Sequence, residues 1–170
     1  MRTLTRDFGG PTPFKWVDPA SIPPRAELLS CGIAYGFRGE DGRFEPDRRG
    51  QEWLAFEEPE DVVYWNPRTG FTATFEGRAF ALGELAITNA ATYALDDSLK
   101  IFGSISRWIE ANGRGIFVLD WRRAFDKLRD APRVECDSDD VSALYRQYMK
   151  PQRLPVMRVR RPPRSARNGS

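Results

Sequence analysis

Apolar and polar positions alternate in short runs along the first half of the chain, a pattern that predicts strands. Residues 33–38 read as one strand and 53–56 as another. Between them Gly39-Glu-Asp-Gly42 supplies an Asp-Gly pair suited to the positive-φ positions of a hairpin turn. Asp61-Val-Val-Tyr-Trp65 is a denser strand signal. Asn66-Pro-Arg-Thr-Gly70 is a turn, and residues 71–75 alternate aromatic with small or polar side chains, so 61–75 predicts a second hairpin.

Beyond Gly77 the period lengthens. Residues 78–87 carry Ala79, Leu82 and Ala86 at helical spacing and predict a helix that runs through Gly83. Residues 104–111 predict a short helix closed by Asn112-Gly113, and 115–119 a buried strand. An amphipathic helix is expected over 121–129, with Trp121, Phe125 and Leu128 on one side, and a last helix over 141–148. The acidic run 135–140 reads as a polar loop, because it lacks the spacing and closing glutamate of a calcium loop. Upstream, Ser21-Ile-Pro-Pro starts a further helix, with Ser21 as cap and Gly32 at its C-terminal end. Hairpins followed by alternating helix and strand predict an α+β (or α/β) fold, a compact mixed sheet flanked by helices. One domain is expected over residues 1–149, opening with a proline-rich arm over 1–24 anchored by Trp16.

Charge divides the chain differently. Seven of the 26 basic residues and none of the 24 acidic ones lie in 150–170, so that segment carries +7 and the rest −5. Pro151, Pro155, Pro162 and Pro163 argue against helix or sheet there. The segment reads as a basic tail. Arg153, Arg158, Arg160 and Arg161 suit salt-sensitive, sequence-independent contact with nucleic acid, although a solubility role or contact with an acidic surface fits equally.

The chain contains no histidine, which excludes Ser-His-Asp and Cys-His catalysis, imidazole proton transfer and histidine-based zinc sites. Two cysteines, Cys31 and Cys136, are too few for a cysteine zinc site and are expected as reduced thiols. A metal site would use oxygen ligands, which favours Mg²⁺, Ca²⁺ or Mn²⁺. With no apolar stretch of membrane-spanning length and no secretory leader, the expectation is a cytoplasmic protein without membrane insertion.

Four places offer chemistry. In Glu76-Gly-Arg-Ala-Phe-Ala-Leu-Gly-Glu84 a strand ends at a glycine and an arginine opens the predicted helix. Gly77 and Arg78 would cradle a phosphate, while Glu76 and Glu84 hold a divalent metal or act as general base; otherwise these are an ordinary turn and a solvated helix face. Asp61 and Arg68 bracket the second hairpin, with Arg68 at an exposed tip able to touch phosphate. Asp120 ends a strand and caps the helix that follows. The basic tail is the fourth.

Several stretches together resemble the Osa family of plasmid fertility-inhibition proteins, over roughly residues 14–157. They are Trp16-Val-Asp-Pro-Ala-Ser-Ile-Pro-Pro-Arg-Ala-Glu-Leu-Leu, Asp61-Val-Val-Tyr-Trp-Asn-Pro-Arg-Thr-Gly, Gly77-Arg-Ala-Phe-Ala-Leu-Gly-Glu, Val118-Leu-Asp-Trp-Arg-Arg-Ala-Phe-Asp-Lys-Leu-Arg and Met149-Lys-Pro-Gln-Arg-Leu-Pro. The resemblance implies a ParB/sulfiredoxin-like fold in a plasmid-encoded bacterial protein that blocks conjugative and T-DNA transfer through a type IV secretion system. It further implies ATP binding and hydrolysis and metal-dependent DNA cleavage, with Mg²⁺ as the expected ion. ParB-like proteins open a helix near the phosphates with a Gly-Glu-Arg-Arg box. Gly77-Arg78-Ala-Phe-Ala lacks its glutamate and second arginine, which leaves the carboxylate to Glu76 or Glu84. The rival expectation is a non-catalytic inhibitor that binds a secretion-system coupling protein or the transferred nucleoprotein, with Trp65 or Trp108 as exposed anchors. A DNA-binding adaptor acting through the tail is the third.

Overall fold

Alternation in the first half builds one curled sheet. The structure, a computed structural model, describes residues 31–150. Strands β1 (Gly32–Arg38), β2 (Phe44–Pro46), β3 (Gln51–Glu57), β4 (Val62–Trp65) and β5 (Thr72–Thr74) join in the order β2-β1-β3-β4-β5, with every neighbour antiparallel. Gly42, at φ 81°, makes the predicted turn after β1, and that turn leads into β2, a strand the sequence pattern did not reveal. At one end the two edges meet. The Thr74 N–H donates to the Gly42 carbonyl at 3.2 Å, and Arg38 Nε donates to the Thr72 carbonyl at 2.9 Å.

Curling buries both faces of the central strands. Ala34, Phe44, Trp53, Ala55, Val62, Tyr64 and Ala73 pack against each other inside the curl. Their alternate neighbours, Ile33, Leu54, Phe56, Val63 and Trp65, point the other way onto Ala79, Leu82 and helix α1 (Ile105–Glu110). All four residues of β4 are therefore buried. Helix α1 is six residues long, but Ser104 caps it and Ile105, Trp108 and Ile109 form one apolar stripe. Trp108 meets Phe56 edge-on at 5.6 Å and donates its Nε1–H to the Gly115 carbonyl at 2.9 Å.

The second half wraps another apolar cluster. Strand β6 (Ala81–Leu82) pairs antiparallel with β8 (Phe117–Val118), and β7 (Leu99–Ile101) pairs parallel with β9 (Val134–Cys136). Helices α2 (Ala124–Leu128) and α3 (Asp139–Tyr148) cover them. Phe80, Leu99, Ile101, Ile116, Val118, Leu128 and Val141 form the contact. The architecture is α+β, with an antiparallel main sheet in place of the mixed one expected.

Several local expectations change. No helix spans 78–87. Residues 78–80 lack regular structure, β6 follows, Gly83 turns at φ 74°, and a 3-10 turn occupies Glu84–Ile87. Ala79, Phe80, Ala81 and Leu82 are all buried, so the run has no polar face, and a short apolar run does not distinguish helix from strand. Residues 135–140 are not a loop, since they contain the end of β9, and Ser138 caps α3 with Asp139 and Asp140 in the first turn. The 115–119 strand shrinks to β8, and 121–129 splits into a 3-10 turn (Trp121–Arg123) and α2. Helix α1 and the β4–β5 hairpin form as predicted, and Asp120 accepts the Arg122 N–H as a cap. Gly32 opens β1. The helix from Ser21, the arm over 1–24 and the tail residues Arg153, Arg158, Arg160 and Arg161 lie outside the described residues. Cys31 and Cys136 are not joined by a disulfide. Among the described residues no helix is long and apolar enough to cross a membrane.

Candidate functional site

The β3–β4 connection carries two carboxylates that hold the segment 76–84 against the sheet. Asp61 is buried at 8% exposure and accepts four backbone N–H groups. Val62 and Glu76 donate to Oδ1, each at 2.8 Å, and Arg78 and Ala79 donate to Oδ2 at 2.7 and 3.2 Å. Burial by itself would raise the Asp61 pKa, but these four donors outweigh it and leave the group below its ordinary value.

Three residues earlier in sequence, Glu58 does the same at the other end of the segment. Its Oε1 accepts the Gly83 N–H at 2.6 Å and its Oε2 the Glu84 N–H at 3.0 Å. Here burial wins. Desolvation, helped by the neighbouring charge of Glu84, pushes Glu58 up to about 7 against the pull of the two N–H groups. Gly83 is required at this turn twice over: it sits at φ 74°, and a side chain would collide with the Gly115 carbonyl. Glu84 in turn binds Lys127 of α2 at 2.6 Å and accepts the Phe80 N–H at 3.3 Å.

The predicted phosphate cradle is thus built differently. No helix opens at Arg78, and the N–H groups of Glu76, Arg78 and Ala79 already point at an anion, the Asp61 carboxylate. What the segment offers outward is side chains. The Arg78 guanidinium is 67% exposed and paired with Glu76 at 2.9 Å. Arg123 donates to the Arg78 carbonyl at 2.6 Å, which brings a second guanidinium to the same place. Arg43 lies beside Gly77, its Nε 3.8 Å from where a Cβ would sit.

Glu76 and Glu84 do not form a pair. Glu76 is matched to Arg78 and Glu84 to Lys127, so each carboxylate has its own cation. As arranged they do not fit a shared Mg²⁺, and among the described residues no cluster of three or more metal-ligating side chains occurs. Arg68 is exposed on the β4–β5 turn, where Asn66 Oδ1 accepts its backbone N–H at 2.9 Å. Asp61 precedes β4 and Arg68 follows it, so the strand separates them. Trp65 and Trp108, expected as exposed anchors, are 6% and 5% exposed and belong to the core.

Sequence reasoning missed Glu58 and Lys127, and it singled out Arg123 only within Asp120-Trp-Arg-Arg123, without its tie to Arg78. A faint signal for Glu58 was present in Glu57-Glu-Pro-Glu-Asp61, a run of carboxylates between two apolar strands. Nothing in the spacing of Lys127 or Arg123 ties them to residues more than forty positions earlier. No family model, curated protein or solved structure matches the chain.

Proposed function

We propose that the chain is a fertility-inhibition protein of the Osa type, with a ParB/sulfiredoxin-like fold, acting in the cytoplasm of a plasmid-bearing bacterium. It blocks conjugative plasmid and T-DNA transfer through a type IV secretion system by hydrolysing phosphodiester bonds of the transferred DNA, coupled to ATP binding and hydrolysis. The observation that carries this reading is the exposed Arg78 guanidinium, paired with Glu76 on a segment clasped by two carboxylates, with the Arg123 guanidinium brought to the Arg78 carbonyl. Arg78 and Arg123 attract and neutralise phosphate oxygens. Glu58, whose carboxyl burial pushes up to about 7, is the group we assign to proton transfer. Asp61 stays ionised and keeps the segment rigid. The tail arginines Arg153, Arg158, Arg160 and Arg161 raise local DNA affinity, and Arg68 supplies a further phosphate contact. No step is routed through Mg²⁺, because the carboxylates expected to hold it are matched to cations of the chain.

The test is a nuclease and ATPase assay of the purified chain on single- and double-stranded DNA, with and without Mg²⁺ and ATP. Arg78→Ala is expected to lower both rates roughly 10²-fold, the size of one lost electrostatic contact to a developing charge. Full rates in that variant, or no hydrolysis by the wild type under any condition, would overturn the reading. Leu95, wholly exposed on a well-braced turn, favours the second reading, a binding inhibitor of the secretion machinery.

A further inference from the structure

A groove of about 490 Å³ runs beside helix α3. Asp140, Val141 and Leu144 of α3 form one wall, and Phe117 of β8, Trp121 and Arg107 of α1 stand opposite. The lining is largely apolar and only partly covered. Phe117 and Trp121 are half-buried, and Leu144 is 36% exposed. At one end Ser138 caps α3, and Arg107 is paired with Asp137 at 3.0 Å. At the other end the Trp121 ring lies 6.2 Å from that of Tyr148, the last residue of α3.

Charge and chain path together indicate the occupant. Asp139 and Asp140 are exposed in the first turn of α3, and among the described residues neither has an ion-pair partner. The one cation in the lining, Arg107, is already matched to Asp137. An apolar segment with cationic flanks therefore fits, and an anionic one is repelled. The chain itself carries such a segment. Lys150, the last described residue, lies two positions past α3, at the Trp121–Tyr148 end of the groove. From there the sequence runs Pro151-Gln-Arg-Leu-Pro-Val-Met-Arg158, four apolar residues between two arginines, and no acidic residue follows to 170. Turning back at Pro151, an extended chain reaches ~13 Å by Leu154 and ~26 Å by Arg158. Helix α3 is only ~15 Å long, so the apolar run spans the groove toward Asp140. A tether this short gives an effective concentration on the order of millimolar, which favours this segment over a free partner.

We propose that residues 154–157 of this chain dock in the groove beside α3, with Arg158 against Asp140. The contact anchors the basic segment to the acidic body and leaves Arg160 and Arg161 beyond it. It requires neither hydrolysis nor transfer inhibition, so it stands or falls separately from the functional reading above.

The full chain is tested by trypsin cleavage after Arg153 and Arg158 and by amide hydrogen exchange, over a range of protein concentrations, with urea unfolding as the control for folding. Leu144→Glu puts a charge into the groove at a partly exposed position and keeps a good helix former. It is expected to speed cleavage roughly 10-fold, the share of one apolar contact, with the unfolding midpoint unchanged. Asp140→Lys is expected to speed it several-fold through charge. In the reverse direction, Leu154→Asp with Met157→Asp leaves every described residue intact. That variant is expected to exchange faster over residues 117–121 and 139–148 and unchanged over β3 and β4. If Leu144→Glu unfolds the body, Asp140→Lys and the 154/157 variant decide. Cleavage at the wild-type rate in the folded groove variants, or unchanged exchange in the 154/157 variant, overturns the docking. Protection that rises with protein concentration overturns docking within one chain in favour of a second copy.

Discussion

Asp61 Oδ2 accepts the backbone N–H of Arg78 at 2.7 Å, across 17 positions of sequence. One buried carboxylate thereby sets where an exposed guanidinium of the candidate site begins. The Arg78 backbone is fixed from inside, and its exposed side chain pairs with Glu76. A charged internal acceptor replaces the external phosphate that the same donors would bind at a helix start.

Asp61→Ala leaves the N–H groups of Val62, Glu76, Arg78 and Ala79 without their acceptor. Unsatisfied buried donors cost ~1–3 kcal/mol each, and partial access of water to the segment reduces the sum. A loss of roughly 3 kcal/mol in urea unfolding is expected, with hydrolysis lost even where the protein remains folded. Stability within 0.5 kcal/mol of wild type, roughly the size of an ordinary surface change, would contradict the clasp.

Glu58 makes stability depend on pH. Its folded pKa, about 7, lies above the ordinary 4.5, so the folded state holds the proton more tightly. Its contribution is fully present below about 4.5 and is lost as pH rises through about 7. Partial exposure restrains the size to roughly 2 kcal/mol. Asp61 acts in the opposite sense, since its lowered pKa adds stability that disappears only in acid, as pH falls below the ordinary carboxylate range. Urea unfolding from pH 4 to 8 is expected to show the decline, and Glu58→Gln to flatten it. An unchanged slope in that variant would assign the decline elsewhere.

Gly83→Ala is expected to destabilise by more than ~1 kcal/mol, since it combines a φ of 74° with a collision against the Gly115 carbonyl. The displaced turn would also release the Glu58 contacts to Gly83 and Glu84. Thermal unfolding beside Gly70→Ala separates the two effects. Gly70 shares a φ of 75° but has open space around it, so it should lose less.

Arg78→Lys retains charge but not the planar fork of the guanidinium. If Arg78 grips phosphate oxygens in a two-pronged way, lysine restores only a minor part of the hydrolysis lost in Arg78→Ala. If charge alone matters, lysine restores most of it and the salt dependence of DNA binding stays that of the wild type. Rates at two salt concentrations distinguish these outcomes.

Local chemistry alone determined much of this protein. The turn at Gly42, the alternation over 61–75, Ser104 before an apolar stripe and Asp120 before Trp121 each act within a few residues, and each appears in the structure as read. The α+β class followed from them. Tertiary structure decided the rest, for three physical reasons. The curl of the sheet covers both faces of β4, so its four apolar residues carry no trace of which side is inner. Residues 79–82 are buried all round, and a run without a polar face has no period to separate helix from strand. The site itself depends on contacts between distant positions: Glu58 to Gly83, Asp61 to Arg78, Glu84 to Lys127. A carboxylate in a sequence does not announce its acceptor's geometry; only the folded chain brings Asp61 under the N–H groups of 76–79 and leaves the Arg78 side chain facing water.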